Sequence, residues 1–481
     1  MSDFSFFWHD YETFGSTPRR HPPAQFAGVR TDAALNELEP PVACYCRPSP
    51  DFLPEPEACL LTGITPQDCL QRGLAEHAFA DAIEQQLARP ATVGVGYNSI
   101  RFDDEVTRFL FWRNLLDPYA REWRDGCGRW DLLDVLRCAY ALRPGGLQWP
   151  VRDDGTPSFR LEDFTRANGL AHEGAHDALA DVRATLALAR RLKAAQPKLW
   201  DFCLKLRRKD AVLEEIAGAQ RQGRPFLHVS GRYAAQRGCL ALVWPLAPHP
   251  TNRNELIVWD LAEDPAELER LRAAEIRARL FVPADGLPEG VRRLPIKTIH
   301  LNRAPIVIAN LKTLAPPMAA RWGLDVDAGL RHADKAARLA PKLAGLWPEV
   351  FERPAADAVP DVDENLYGGF VGDADRRLLQ RLRALPPERL ATRRPDFADP
   401  RLTELLFRYR ARNFPETLSA AEQEQWRQHR AARLLEGVGD RCTVPAYLDR
   451  LEALAAAADA RGRGILQGLA AYAGSIAPAP G

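Results

Sequence analysis

Apolar strands alternate with amphipathic helices from Phe4 to about Pro197, and this alternation constrains the fold more than any other feature of the chain. Strands are predicted at residues 4–10, 25–31 and 92–97. Helices with apolar residues at helical spacing are predicted to begin near Asp103, Arg129, Leu161 and Asp177. Such an order of elements is typical of a mixed α/β domain built on a central sheet.

The pattern changes twice along the remaining chain. Between about Trp200 and Trp347, short β-rich runs such as FLHVSGRY, LALVWPLA and NELIVWDL are separated by Pro, Asn and Gly turns, which predicts a small barrel with one or two inserted helices. A Pro-, Ala- and Asp-rich stretch without periodicity then precedes amphipathic helical segments. We therefore predict an α/β multidomain protein: an α/β domain at 1–197, a β-barrel domain at 198–352, a linker at 353–365 and an α-helical domain at 366–475.

The bulk composition limits the class of protein. The 481 residues carry a formal net charge of zero, so any attraction to phosphate must come from local clusters of Lys and Arg. The nine cysteines fit neither a disulfide framework nor the paired spacing of a zinc site. No apolar run is long enough to span a bilayer, and the start MSDFSFFWHDYE lacks the features of a signal peptide. We expect a cytoplasmic protein without a membrane partner.

A first acidic motif, HDYETFG, follows the first predicted strand. Because side chains two residues apart lie on the same face of a strand, Asp10 and Glu12 point together from its end. Two adjacent carboxylates repel each other unless a cation lies between them, and hard divalent ions such as Mg²⁺ prefer oxygen ligands. Taken alone, such a pair is more often a solvated feature of a strand end.

A second acidic motif, NSIRFDDE, opens a predicted helix with Asp103, Asp104 and Glu105 in its first turn. Acids at this position complement the helix dipole, which would explain them without a further role. Taken alone, the motif favours that structural explanation.

A third motif, AHDALAD, places His176 five residues before Asp181. Five helical residues turn the side chain by about 140°, so both residues cannot share one helix face. We therefore predict Asp177 as the N-cap, Asp181 on the helix and His176 in the preceding loop. A loop histidine suits a general base, although in isolation it would be a plain surface residue.

In order, spacing and context, the three motifs resemble those of the DEDDh class of 3′→5′ exonucleases, whose core is a ribonuclease-H-like sheet. The resemblance implies that two Mg²⁺ ions, with Mn²⁺ as an alternative, are held by Asp10, Glu12, Asp103 and Asp181. It also implies that His176 activates the attacking water. The choice of Asp103 over Asp104 rests on the family motif, because periodicity leaves both open.

The similarity continues along nearly the whole chain, in segments that resemble the bacterial exodeoxyribonuclease I family. GYNSIRFDDEVTR resembles its nuclease domain, LAPHPTNRNELIVWDLA its SH3-like domain and LLFRYRARNFPETL its C-terminal helical domain. The resemblance implies a monomeric enzyme of DNA repair and recombination that releases deoxynucleoside 5′-monophosphates from single-stranded DNA. It further implies that the C-terminal tail of single-stranded-DNA-binding protein docks on the enzyme.

A groove for single-stranded DNA needs cations for phosphates and aromatic rings for bases. Together with the resemblance, this requirement gives candidate substrate contacts at Glu12, Arg108, Tyr119, Trp123, Arg137, Arg143, Phe159, Arg160, Lys209, Asn254, Lys297 and Asn302. From the residues alone, the last four are turn or surface residues, and the resemblance raises them to possible contacts with the strand. Trp112 and Trp130 are interpreted as packing residues.

A stripe of arginines also lies on the predicted helix through RLTELLFRYRAR. At helical spacing, Arg401, Arg408 and Arg412 share one side, next to an apolar stripe. The arginines could follow a DNA backbone, or they could form an ordinary solvated face.

Three functional hypotheses remain. The first is a Mg²⁺-dependent exodeoxyribonuclease that acts on single-stranded DNA. The second is an exoribonuclease with the same site, because the acids do not distinguish the sugars. The third is a non-catalytic single-strand-binding module, against which the intact set of acids argues.

Overall fold

The computed structural model describes residues 4–171, 177–352 and 360–478. The chain divides into two compact units. The described part of the first unit comprises residues 4–128, 177–183 and 360–478, and that of the second comprises residues 129–171 and 184–352.

The strands are β1 (Ser5–Thr13), β2 (Pro23–Thr31), β3 (Val42–Tyr45), β4 (Thr92–Gly96), β5 (Gly128–Asp131), β6 (Phe226–Val229), β7 (Leu240–Pro248), β8 (Glu255–Asp260), β9 (Ile296–His300) and β10 (Ile306–Ile308). The helices up to the end of the second unit are α1 (Pro56–Thr62), α2 (Pro66–Arg72), α3 (Glu76–Leu87), α4 (Asp103–Arg113), α5 (Leu132–Leu142), α6 (Leu161–Ala167), α7 (Ala178–Ala195), α8 (Pro197–Lys205), α9 (Lys209–Arg221), α10 (Ala273–Phe281), α11 (Pro316–Arg321), α12 (Val326–Leu343) and α13 (Trp347–Val350). The C-terminal helices are α14 (Asp373–Arg383), α15 (Pro387–Ala391), α16 (Arg401–Asn413), α17 (Ala420–Leu434), α18 (Val444–Ala455) and α19 (Ala460–Ile476).

In the first unit, β1 lies at the centre of a mixed sheet with the strand order β3-β2-β1-β4. It pairs antiparallel with β2 and parallel with β4, where Trp8 opposes Val95 as the last pair. Every residue of β2 is buried, as expected for a strand covered on both faces. Because parallel neighbours end at the same edge of a sheet, the end of β1 and the helix that follows β4 lie close together.

One helix start was predicted wrongly. Arg129 lies in the short buried strand β5, and α5 begins only at Leu132. The carboxylate of Asp131 accepts a hydrogen bond from the amide of Leu133 at 3.0 Å, so the N-cap sets the start of the helix. Trp112 and Trp130 are both buried, as predicted.

The second unit contains an antiparallel sheet with the order β10-β6-β7-β8-β9. The predicted β-rich runs form strands of this sheet, and α10 is inserted between β8 and β9. Helix α12 packs closely on β7, since a side chain on Gly329 would come within 2.7 Å of Leu242. Among the described residues of both units, no helix is long and apolar enough to cross a membrane.

Two of the three arginines in the stripe on α16 are neither available to DNA nor part of a solvated face. Arg408 and Arg412 are buried, and both guanidinium groups bind the carboxylate of Asp363. Arg412 also binds Asp51, and Arg433 of α17 binds both carboxylates. Burial alone would raise the pKa of Asp363, but Arg412 and Arg433 hold it well below the usual range. Arg408 and Arg412 therefore belong to a buried ionic network that joins α16 and α17 to the segment between β3 and α1 within this unit. Arg401, the third arginine of the stripe, is half-buried and is paired with Asp399.

The predicted linker lies partly outside the described residues, at 353–359. Its remaining part carries Asp361 and Asp363, which belong to the ionic network. An apolar core adjoins this network, in which Leu402, Leu405 and Tyr409 of α16 pack with the buried side of α4.

Candidate active site

Three of the predicted metal ligands come together at the end of β1. Carboxylate oxygens of Asp10, Glu12 and Asp181 all lie within 4.8 Å of one another. Two of these side chains come from β1 and the third from the first turn of α7. The same-face placement of Asp10 and Glu12 follows from the two-residue period of the strand.

The fourth predicted ligand, Asp103, is attached directly to the same strand. Its Oδ1 accepts a hydrogen bond at 3.1 Å from the backbone amide of Tyr11, the residue between the two acids of β1. The Tyr11 hydroxyl lies 2.9 Å from Thr107 Oγ1, which donates to the carbonyl of Asp103 at 2.8 Å. Asp103 stands beside the three-carboxylate cluster and is close enough to Asp10 to raise its pKa.

The structure distinguishes the two neighbouring acids that periodicity left open. Asp104 is bound by Arg121, with Nη2 at 2.6 Å from Oδ1, and both side chains are almost fully buried. Its charge is therefore already compensated within the protein. Asp103, in contrast, faces the acids of β1.

The electrostatics of the cluster fit a divalent cation. Burial, then the charges of Asp103, Glu12 and Asp181, raise the pKa of Asp10 well above its usual range. Burial, then Asp181 and Asp177, raise the pKa of Glu12 to about 8. Carboxylates this close and this desolvated stabilise a cation placed between them, and oxygen-only ligands are those that hard divalent ions prefer.

The start of α7 is held against the sheet by Gln25, which sequence reasoning missed. The side chain of Asp177 caps the helix as predicted, accepting from the amides of Leu179 and Ala180. Gln25 donates to Asp177 at 3.0 Å and accepts from the amide of Ala178 at 3.1 Å. Gln25 lies opposite Glu12 in the pairing of β1 with β2. Its two hydrogen bonds to the start of α7 therefore hold Asp181, in the first turn of that helix, close to Glu12. A polar residue directly before the apolar run FAGV was the available signal. The predicted base, His176, lies outside the described residues.

Two of the predicted DNA contacts of the first unit lie at one cavity of about 550 Å³. Tyr119 and Trp123 line it, and Trp123 is 65% exposed. Arg108 instead is buried, with its guanidinium bound by Glu105 and Glu122, which argues against a contact with phosphate.

Two aromatic residues near this cavity were not singled out in the sequence. Phe370 lines the cavity, is 85% exposed and has its ring centroid 5.9 Å from that of Tyr119. Tyr367 is exposed as well, and its hydroxyl is bonded to Arg108. Aromatic residues beside the glycines of LYGGFVGD were a usable signal, since such rings offer stacking surfaces for bases.

The other predicted contacts lie on the second unit. Arg137 is paired with Asp134 at 2.6 Å and lies 5.7 Å from the ring centroid of Phe159. Lys209 donates to Asn254 at 2.6 Å, so that these two candidates contact each other. Arg143, Arg160 and Asn302 are exposed, and Lys297 is half-buried. Their roles in DNA binding stay predictions.

Comparisons with known proteins give the family. Family models match three successive stretches: Exonuclease at residues 7–189, Exonuclease I SH3-like domain at 207–353 and Exonuclease I C-terminal domain at 360–476. The exodeoxyribonuclease I of Haemophilus influenzae is 45% identical, over 90% of this chain and 91% of the relative.

Solved structures agree over the whole chain. Escherichia coli exonuclease I in complex with a dA16 oligonucleotide matches with a TM-score of 0.93 and 41% identity, covering 99% of this chain and 100% of that chain. The zinc-bound form of the same enzyme with single-stranded DNA matches with a TM-score of 0.91 and 41% identity, covering 98% and 99%. The three-part architecture predicted from the sequence is confirmed, and the chain belongs to the exodeoxyribonuclease I family.

Proposed function

We propose that this protein is an exodeoxyribonuclease that removes deoxynucleoside 5′-monophosphates from the 3′ end of single-stranded DNA and acts in DNA repair and recombination. The observation that carries the proposal is the convergence of Asp10, Glu12 and Asp181, with Asp103 bonded to the strand between the first two. The E. coli relative that was crystallised with dA16 supports the substrate.

Asp10, Glu12, Asp103 and Asp181 would hold two divalent ions, Mg²⁺ with Mn²⁺ as an alternative. Bound there, such ions lower the pKa of the attacking water and stabilise the leaving 3′ oxygen. Glu12, whose pKa is raised to about 8, would give up its proton as a cation enters, and would then also contact the terminal nucleotide. The Tyr11 amide fixes the orientation of the Asp103 carboxylate. His176, by the family motif, would take the proton of the water.

The strand would continue from the active site over aromatic and cationic side chains. Tyr119, Trp123 and the newly found Phe370 offer rings for stacking. Further proposed contacts are Arg137, Arg143, Phe159, Arg160, Lys209, Asn254, Lys297 and Asn302. For Arg108 we propose a supporting role, since its guanidinium is bound by two carboxylates and lies 5.3 Å from the centroid of the Tyr119 ring.

The remaining proposals concern organisation and partners. We propose a cytoplasmic monomer with domains at 1–197, 198–352 and 366–475, joined through 353–365. The acidic C-terminal tail of single-stranded-DNA-binding protein would dock on a basic surface, for which the exposed Arg143 is a candidate.

One assay separates the three functional hypotheses. The protein is incubated with 3′-labelled single-stranded DNA, duplex DNA or RNA, with Mg²⁺ or with EDTA. We expect mononucleotides from single-stranded DNA alone, and only with the metal. Preferential degradation of RNA would indicate an exoribonuclease, and binding without release would indicate a non-catalytic module.

A further inference from the structure

Helix α14 forms one wall of the cavity that Tyr119 and Trp123 line from the other side. Its buried residues, Asp375, Leu379 and Leu382, face the core at helical spacing. Leu379 also reaches the cavity, but most of the lining residues of α14 belong to a different stripe of the helix, which includes Asp373, Arg376, Arg377, Gln380 and Arg383. The cavity thus combines aromatic rings with a cationic helix face.

Most cations of this cavity already have a partner. Arg376 is paired with Asp373, Arg383 with Asp81, and Arg124, on the opposite wall, lies 3.7 Å from Asp117. Arg377 differs from them, since it is exposed and makes no ion pair or hydrogen bond with any residue that the structure describes. An exposed guanidinium beside stacking surfaces matches the arrangement that a non-specific single-strand groove requires.

We propose that α14 is a phosphate-binding wall of the DNA path, in which Arg377 contacts the backbone of the strand whose bases stack on Tyr119, Trp123 and Phe370. The inference rests on the proposed function and adds a specific residue to it. Guanidinium groups suit this contact because their planar donors match the geometry of phosphate oxygens. The phosphate-binding helix of the C-terminal region is therefore α14, and not α16, whose central arginines are buried.

The test compares two variants of the same helix in the full-length protein. Arg377→Ala removes the cavity cation, and Arg381→Ala removes an exposed cation of α14 that lies outside the cavity. Binding of a fluorescent oligothymidylate is measured by anisotropy in EDTA, so that no cleavage occurs, between about 50 and 200 mM KCl.

We expect Arg377→Ala to weaken binding about three- to tenfold at the lower salt concentration, the effect of losing one ordinary net hydrogen bond at a solvent-exposed site. The slope of log K against log salt should fall by about 0.7, the value for one phosphate of single-stranded DNA. Arg381→Ala should stay within about twofold of the wild type, and Arg377→Lys should retain the salt slope, because its charge is kept.

Equal losses in Arg377→Ala and Arg381→Ala would overturn the proposal, since they would indicate long-range charge effects alone. An Arg377→Ala variant that binds DNA normally but no longer binds a polyglutamate peptide would overturn it in favour of an acidic protein partner. The proposed function fails separately, if the wild-type protein releases no mononucleotides from single-stranded DNA with Mg²⁺.

Discussion

Replacing Glu12 by Gln should stabilise the metal-free protein while abolishing exonuclease activity. Glu12 is only 9% exposed, and burial, then Asp181 and Asp177, raise its pKa from 4.5 to about 8. Between these two pH values the folded protein keeps the proton of Glu12, whereas the unfolded chain releases it. The free energy of unfolding of the metal-free wild type should therefore fall as the pH rises through this window.

The size of the effect follows from the pKa. Because one pKa unit corresponds to about 1.4 kcal/mol, the full loss across the window is at most about 5 kcal/mol. Buried sites relax and admit water, so we expect Glu12→Gln to be about 2–4 kcal/mol more stable than the wild type near pH 8. Near pH 5 the two proteins should differ by less than about 1 kcal/mol, because Glu12 is then protonated in the folded state.

The assay is urea unfolding in EDTA near pH 5 and near pH 8. Glu57→Gln is the matched control, since Glu57 forms an exposed pair with Arg450 and should change stability by less than about 1 kcal/mol at either pH. Mn²⁺ should raise the unfolding midpoint of the wild type and have a much smaller effect on Glu12→Gln. An identical dependence on pH in Glu12→Gln and the wild type would refute the reasoning, because it would mean that burial and the neighbouring carboxylates do not raise the pKa of Glu12.

Three further predictions concern the ionic network, the base and the stacking surface. Asp363→Asn should lower the free energy of unfolding by about 3–5 kcal/mol, because it leaves buried guanidinium groups uncompensated. The measurement is urea unfolding at neutral pH. The control is Glu424→Gln, at an exposed pair with Arg427, which should lower the free energy of unfolding by less than about 1 kcal/mol. His176→Ala should reduce turnover by at least about 100-fold while DNA affinity in Mg²⁺-free buffer stays normal, and lost affinity there would indicate a structural role. Phe370→Ala should weaken binding of single-stranded DNA by about 1–3 kcal/mol in anisotropy titrations, and unchanged affinity would exclude base stacking on this ring.

Local rules of the chain predicted much of the active site. The period of a strand places Asp10 and Glu12 on one face, and N-capping by Asp177 fixes where Asp181 falls on its helix. These rules act over a few residues, so the sequence suffices for them. The β-rich runs of the second unit were predictable for the same reason.

Contacts between distant parts of the chain determine two features that the sequence alone did not predict: which of Asp103 and Asp104 faces the acidic cluster, and what covers the arginines of α16. Asp103 and Asp104 are equivalent in a helical pattern, and only the approach of Arg121 assigns Asp104 to an internal ion pair. The arginines of α16 have the periodicity of an exposed stripe. Arg408 and Arg412 are buried because Asp51 and Asp363, remote in sequence, supply compensating charges. Periodicity reports that residues share a face, and it does not report what covers that face.

The central claim is that four carboxylates jointly hold two divalent ions beside the 3′ end of the strand. The most direct measurement is anomalous diffraction from crystals grown with Mn²⁺ and an oligonucleotide whose terminal linkage is a phosphorothioate. We expect two peaks about 3.5–4 Å apart, bound by Asp10, Glu12, Asp103 and Asp181 next to the terminal phosphate. Peaks at other acidic surfaces, with none between Asp10 and Glu12, would contradict the account.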